Sequence, residues 1–226
     1  MSATPPLVRC SAAGRRYGEG ATATIALEPS DCAVQAGDRV ALVGPSGSGK
    51  STLLHLMAGL DQPTSGSVEW PAIGDRDALR PGPVAVIFQG PSLLAPLTIE
   101  ENVALPLVLD GASDADAHGR AAAALARLGL ADLSDKLPEE VSGGQSQRAA
   151  VARALAGRPR LILADEPTGQ LDRDSGRAVI DVLIAAADHS GAALVVSTHD
   201  PVVAERLPTR WAMHSGRLTT PDRAAA

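Results

Sequence analysis

Residues 39–58 read RVALVGPSGSGKSTLLHLMA, a strand, a turn and a helix in succession. The apolar run Val40–Val43 predicts a buried strand, a glycine-rich turn follows, and the residues after it predict a helix stopped by Gly59. Inside this stretch Gly44, Pro45, Ser46, Gly47, Ser48, Gly49, Lys50, Ser51 and Thr52 fit G-x-x-x-x-G-K-[ST], set as the pattern requires between a strand and a helix. Phosphate chemistry explains the residue types. Glycines let the backbone curl so that successive N–H groups point inward, and the helix N-terminus adds the positive end of its dipole. Lys50 can reach the β- and γ-phosphates of a nucleotide, and the Ser51 hydroxyl suits Mg²⁺, which prefers hard oxygen ligands. With 22 Gly and 2 Lys in the chain, chance would supply such a match about 0.002 times. One of those two lysines, Lys50, lies in it; the other is Lys136.

Working outward, short apolar runs recur at Val84–Phe88, at Leu161–Ala164 and at Ala193–Ser197. A helix is predicted between the last two, from about Asp172 to Asp188, with Val179, Leu183 and Ala186 on one face and Gly191 as its stop. Strands alternating with helices imply a parallel sheet covered on both faces. Residues 6–35 carry short Val/Ile/Leu segments broken by Gly and Pro, which predict antiparallel strands beside that sheet. Residues 98–157 read as helical, with an Ala-rich stretch at Ala115–Leu128 and a second at Gln145–Ala156 after a Ser-Gly-Gly turn. They predict a helical insert between two halves of an α/β core. The tail Asp222–Ala226 reads as a frayed end.

Composition narrows the function classes. The chain of 226 residues is 45% hydrophobic and 20% charged, which is ordinary for a globular protein and excludes a disordered one. Its aromatics are Tyr17, Phe88, Trp70 and Trp211, so the core must be built from Ala, Val, Leu and Ile. A formal net charge of −6 argues against a broad nucleic-acid-binding face. Cys10 and Cys32 match no metal spacing and are too few for a disulfide framework; they read as thiols of a reducing compartment. No stretch approaches the ~18 consecutive apolar residues of a membrane span, and the N-terminus lacks a signal-peptide pattern. A protein of this kind working at a membrane must be held there by something else.

The run Leu161-Ile162-Leu163-Ala164 ends in Asp165 and Glu166. Side chains alternate along a strand, so the two carboxylates leave its end in different directions and can serve different partners. After a phosphate loop, the expected division gives Asp165 to Mg²⁺ and Glu166 to an attacking water as general base.

Val141-Ser142-Gly143-Gly144-Gln145, followed by Gln147-Arg148 and a helix, resembles the signature motif of ATP-binding cassette (ABC) ATPases. A Gly-Gly turn opening a helix presents amides and the Ser142 hydroxyl to an anion. In the family that anion is a phosphate of ATP held by the opposite protomer. Other matches follow in order. Gln89 resembles the Q-loop glutamine, implied to contact Mg²⁺ or water. Gly169-Gln170-Leu171-Asp172 resembles the D-loop that crosses the dimer interface. His199, in Ser197-Thr198-His199-Asp200, resembles the switch histidine at the γ-phosphate. Tyr17 lies where the family places an aromatic against adenine. Residues 58–66 and 93–107 further resemble the lipoprotein-releasing and macrolide-exporting branch, with cell-division ABC ATPases nearby. The chain departs from the pattern in Val141 for the usual Leu, in Gln170 where the branch more often has Asn, and in a shortened segment between Gly66 and Gln89.

The resemblance implies a RecA-like P-loop NTPase core with an N-terminal antiparallel β subdomain and a helical insert. Residues 1–226 are then a single ABC nucleotide-binding domain, with core and β subdomain in 1–90 and 159–226 and the helical subdomain in 91–158. It implies an ATP- and Mg²⁺-dependent ATPase. Lys50, Gln89, Glu166 and His199 would act at the γ-phosphate, Ser51, Gln89 and Asp165 at the metal, and Ser142, Gly143, Gly144 and Gln145 at the nucleotide of a partner copy. It also implies an ATP-dependent homodimer on the cytoplasmic face of the cell membrane, docked on a separate integral-membrane permease and bound to no nucleic acid. Export is the expected task, with signalling across the membrane as the alternative.

Overall fold

The computed structural model describes residues 4–169 and 171–221. Its centre is a six-stranded sheet formed by β3 (Arg39–Val43), β5 (Val84–Ile87), β6 (Leu161–Asp165), β7 (Ala193–Thr198), β8 (Thr209–His214) and β9 (Arg217–Thr219). Their spatial order is β5-β6-β7-β3-β8-β9; all neighbours run parallel except β9 against β8. Beside it, β1 (Val8–Tyr17) lies between β2 (Thr24–Val34) and β4 (Ser65–Glu69) in an antiparallel three-stranded sheet.

The six-stranded sheet is buried on both faces, and strand alternation sorts its side chains between two cores. Ala41, Ile162, Ala164, Leu194 and Val196 point to a core shared with α2 (Ile99–Leu109), α3 (Asp114–Arg127), α4 (Gly143–Ala156) and α5 (Arg173–Ser190). Val40, Leu42, Leu161, Leu163, Ala193 and Val195 point to the other core, filled by α1 (Lys50–Met57) and the antiparallel sheet. A short α6 (Pro201–Ala204) connects β7 to β8.

The expected elements are present, with adjustments. Helix α5 runs on to Ser190 and is stopped by left-handed Gly191, but it buries Ala187 rather than Ala186 beside Val179 and Leu183. Asp172 is its N-cap, accepting from the amides of Asp174 and Ser175, both at 3.0 Å. The helical region is three helices, the last two joined through two 3-10 turns, and buried Asn102 organises its entrance. The Asn102 carboxamide accepts from Leu94 N–H and donates to the carbonyls of Leu94, Leu97 and Thr98. Cys10 and Cys32 face each other across β1 and β2, and both are free thiols. The readings on Gln170 and on the tail Asp222–Ala226 fall outside the described residues.

The shortened segment between Gly66 and Gln89 holds one 3-10 turn, Arg76–Ala78, and no α-helix. It serves the last carbonyls of α1, which no helical amide can reach. Trp70 Nε1 donates to Met57 O at 2.7 Å, Arg76 Nε to Gly59 O at 2.8 Å, and Arg80 to Ala58 O. The two guanidiniums also suit the negative end of the helix dipole.

Candidate active site

Strand β3 runs into the turn Gly44–Gly49 and α1 begins at Lys50, so the phosphate loop leaves the carboxyl end of a central strand. Gly44 and Gly49 are required by close packing. A Cβ on Gly44 would lie 2.1 Å from Met213 O of β8. One on Gly49, whose φ is +107°, would lie 2.4 Å from Ala26 O of β2. Gly216, in the β8–β9 turn, donates its amide to Ser48 O at 2.8 Å. The loop is therefore braced by strands far away in sequence.

Pro45, Ser46 and Gly47 are exposed at the rim, while Ser48 and Lys50 are buried. Lys50 Nζ donates to Gly44 O at 2.9 Å and Pro45 O at 3.0 Å, and stands 3.3 Å from Glu166 Oε1. The Ser48 hydroxyl is buried without a hydrogen-bond partner. A buried ammonium, an orphaned hydroxyl and the free amides of a helix's first turn make a cradle for a polyanion. Ser51 is exposed and Thr52 half-buried in that turn.

The two carboxylates diverge as expected. Asp165, 6% exposed, turns inward and accepts from Ser197 Oγ at 2.5 Å. Glu166 turns to the loop, with Oε1 facing Lys50 and Oε2 facing His199 Nδ1 at 3.0 Å. Its φ of +43° is the left-handed conformation that non-glycine residues adopt at a cost of order 1 kcal/mol or more. The Glu166 amide is held there by Ser197 O at 3.1 Å and Ser197 Oγ at 3.0 Å. Ser197 thus orients both acidic residues. Its only sequence signal was a polar side chain at the end of an apolar strand.

Lys50, Glu166 and His199 come together directly, with Asp165 behind them. Gln89 is exposed nearby: a Cβ on Gly169 would sit 3.8 Å from Gln89 Nε2 and 3.7 Å from Glu166 Oε2. The segment around Gln89 is fastened to α4. Gln147 Nε2 donates to Phe88 O at 3.1 Å, and Arg153 Nη1 to Ser92 O at 2.9 Å. Burial pushes the Arg153 guanidinium below its ordinary pKa.

Ser142, Gly143, Gly144 and Gln145 open α4, with Ser142 and Gly143 exposed. Ser142 and Gln145 bond each other across the turn as a capping box. Gln145 N–H donates to Ser142 Oγ at 3.2 Å, and Ser142 N–H to Gln145 Oε1 at 2.7 Å. Tyr17 ends β1 with 41% exposure, so it is no part of the β-subdomain core. Its hydroxyl donates to Asp61 Oδ2 at 2.8 Å, and the Arg15 guanidinium lies 4.5 Å from its ring centre.

The family model described as ABC transporter matches residues 27–169, and the chain belongs to that family. It is an ATPase of the ABC transporter type. Among curated proteins it is similar to the lipoprotein-releasing system ATP-binding protein LolD of Legionella pneumophila (strain Paris), 41% identical over 211 residues, 90% of this chain and 93% of the relative. LolD of Shewanella oneidensis is also 41% identical, over 96% of this chain and 98% of its own. Among solved structures, the dimeric post-hydrolysis state of the ATP-binding cassette MJ0796 bound to ADP and Pi aligns with a TM-score of 0.86 and 33% identity, covering 94% of this chain and 98% of that one. The cbiO1 subunit of the Clostridium perfringens transporter complex cbiONQ aligns with a TM-score of 0.79 and 25% identity, over 95% and 87%. These relatives include the lipoprotein-release branch that residues 58–66 and 93–107 resemble.

Proposed function

We propose that this chain binds Mg·ATP between two copies of itself and uses its hydrolysis to drive a separate integral-membrane permease in lipoprotein export. One observation carries the reading. Lys50, Glu166 and His199 converge on the phosphate loop, while the exposed turn at Ser142 and Gly143 is closed only by the capping box between Ser142 and Gln145, which leaves the other first-turn amides of α4 without an intrahelical acceptor. The signature turn is then left to serve a nucleotide on a second copy. Similarity to LolD supports lipoproteins as cargo, and similarity to the dimeric MJ0796 cassette supports the pairing.

In this reading Tyr17 stacks on adenine, and the Gly44–Thr52 amides with Lys50 hold the phosphates. Ser51, Asp165 and Gln89 supply the oxygen donors for Mg²⁺, which would neutralise phosphate charge. Glu166 takes the proton of the attacking water. Its two oxygens are oriented separately, one by Lys50 and one by His199, so the base is positioned before chemistry begins. Lys50 then moves its charge from Glu166 to the developing negative charge on phosphate, and His199 supports the same charge. No described helix is long and apolar enough to cross a membrane, so the permease would hold the chain at the cytoplasmic face.

The test reconstitutes the chain with the integral-membrane subunits that co-purify with it, in vesicles containing an acylated protein. ATP should release the acylated protein to a soluble acceptor, and Lys50→Ala should block release. ATP turnover with the acylated protein retained would refute export and favour signalling.

A further inference from the structure

We propose that Arg15 and Asp61 are positioning residues for the nucleotide base, holding the Tyr17 ring in place with one of its faces covered. The proposal rests on the reading that Tyr17 stacks on adenine. Arg15 and Tyr17 lie two residues apart on β1, where its register with β2 is broken, and their side chains meet. The guanidinium carbon of Arg15 is 4.5 Å from the ring centre, a cation–π geometry that occupies one face and leaves the other for a base. Asp61 Oδ2 accepts from both Tyr17 Oη, at 2.8 Å, and Arg15 Nε, at 2.9 Å. One carboxylate oxygen thus fixes the ring's tilt and the cation's height together.

Asp61 is itself anchored. It lies just beyond the last turn of α1, where its amide reaches His55 O at 3.3 Å, and its Oδ1 accepts from Gln62 N–H at 2.7 Å. Burial favours the neutral acid, but the bonds from Gln62, Tyr17 and Arg15 outweigh it and hold the carboxyl below its usual range. Thr64 latches the same turn to β1, donating from Oγ1 to Gly14 O at 3.2 Å and accepting from Arg16 N–H at 3.0 Å. Helix α1 therefore carries both ends of the nucleotide site. Its first turn completes the phosphate loop, and the turn past its end sets the aromatic ring. Nothing in the Arg15-Arg16-Tyr17 sequence signals this, because Asp61 is 46 positions away from Arg15.

The test compares ATP with tripolyphosphate, which has the phosphates and no base, as ligands of the full chain by calorimetry. Arg15→Ala and Asp61→Asn should each weaken ATP by about 3- to 10-fold and leave tripolyphosphate within about 2-fold of wild type. Tyr17→Ala should weaken ATP by about 5- to 100-fold, and adding Arg15→Ala to it should cost nothing further. A merely structural role would weaken both ligands alike and would persist without the ring, and that result overturns the proposal. Tyr17→Ala weakening ATP while Arg15→Ala and Asp61→Asn do not would overturn the positioning role alone. Unaltered ATP affinity in Tyr17→Ala would overturn the stacking reading and this proposal with it.

Discussion

Ser197→Ala isolates the support of the acidic pair without touching either acid. The Ser197 hydroxyl donates to Asp165 Oδ1 and accepts from Glu166 N–H, and it is 0% exposed. Alanine leaves the carboxylate of buried Asp165 without that donor. A hydrogen bond to a charged group contributes about 1.5–3 kcal/mol, and a buried group left unpaired costs at least as much. For a chain of this length each kcal/mol lowers Tm by about 2–4 °C, so the expected drop is about 3–12 °C by calorimetry. The Glu166 amide keeps Ser197 O at 3.1 Å, so the left-handed backbone survives but loses one of its two restraints. Displacing a positioned base by a fraction of an ångström to one ångström costs about 10- to 100-fold in kcat. A variant within about 1 °C of wild-type Tm and within about 2-fold in kcat would refute this account of Ser197.

Lys50→Ala removes the buried cation of the loop, and ATPase turnover should fall by about 10²- to 10³-fold in a phosphate-release assay; more than half of wild-type turnover would sink the assignment. Asp172→Ala tests the cap of α5. The Ser175 hydroxyl and amide and the Asp174 amide hold the Asp172 carboxyl below its ordinary value, so its stabilisation is complete above the unfolded pKa and lost as pH falls through the lower folded one. The Tm gap between wild type and variant should therefore be open at neutral pH and close in acid; a gap independent of pH would contradict the cap.

Legibility from sequence followed locality. The β3–loop–α1 unit, the acidic strand end and the caps Ser142 and Gly191 declare themselves within a few residues, because turn geometry, helix capping and strand alternation are short-range effects. Strand β4 reads SGSVE and owes its place to pairing with β1, so it carried no signal of its own. Strand β8 does alternate, burying Trp211 and Met213 between exposed neighbours, but its single period is brief. Misplacing Ala186 for Ala187 is a one-residue error of helix phase, since both lie near the edge of the apolar stripe. Beyond the meeting of Lys50, Glu166 and His199 that the family resemblance implied, contacts across long sequence distance were not legible. Ser197 reaches Asp165 over 32 positions and Gln147 reaches Phe88 over 59, and only the fold brings them together.

Glu166→Gln separates ATP binding from hydrolysis and so reports whether two copies complete one nucleotide site. Glutamine keeps the size of the side chain and one acceptor but cannot take a proton, so hydrolysis should fall by about 10²- to 10⁴-fold. It also removes a negative charge 3.3 Å from Lys50, which frees the ammonium for phosphate, so ATP affinity should hold or rise. ATP that bridges two copies stabilises their dimer by mass action. Light scattering on the purified variant should show a monomer with ADP and a long-lived dimer with Mg·ATP, and Ser142→Arg added to it should return the monomer. A Glu166→Gln chain that binds ATP tightly and stays monomeric at saturation would contradict the shared site.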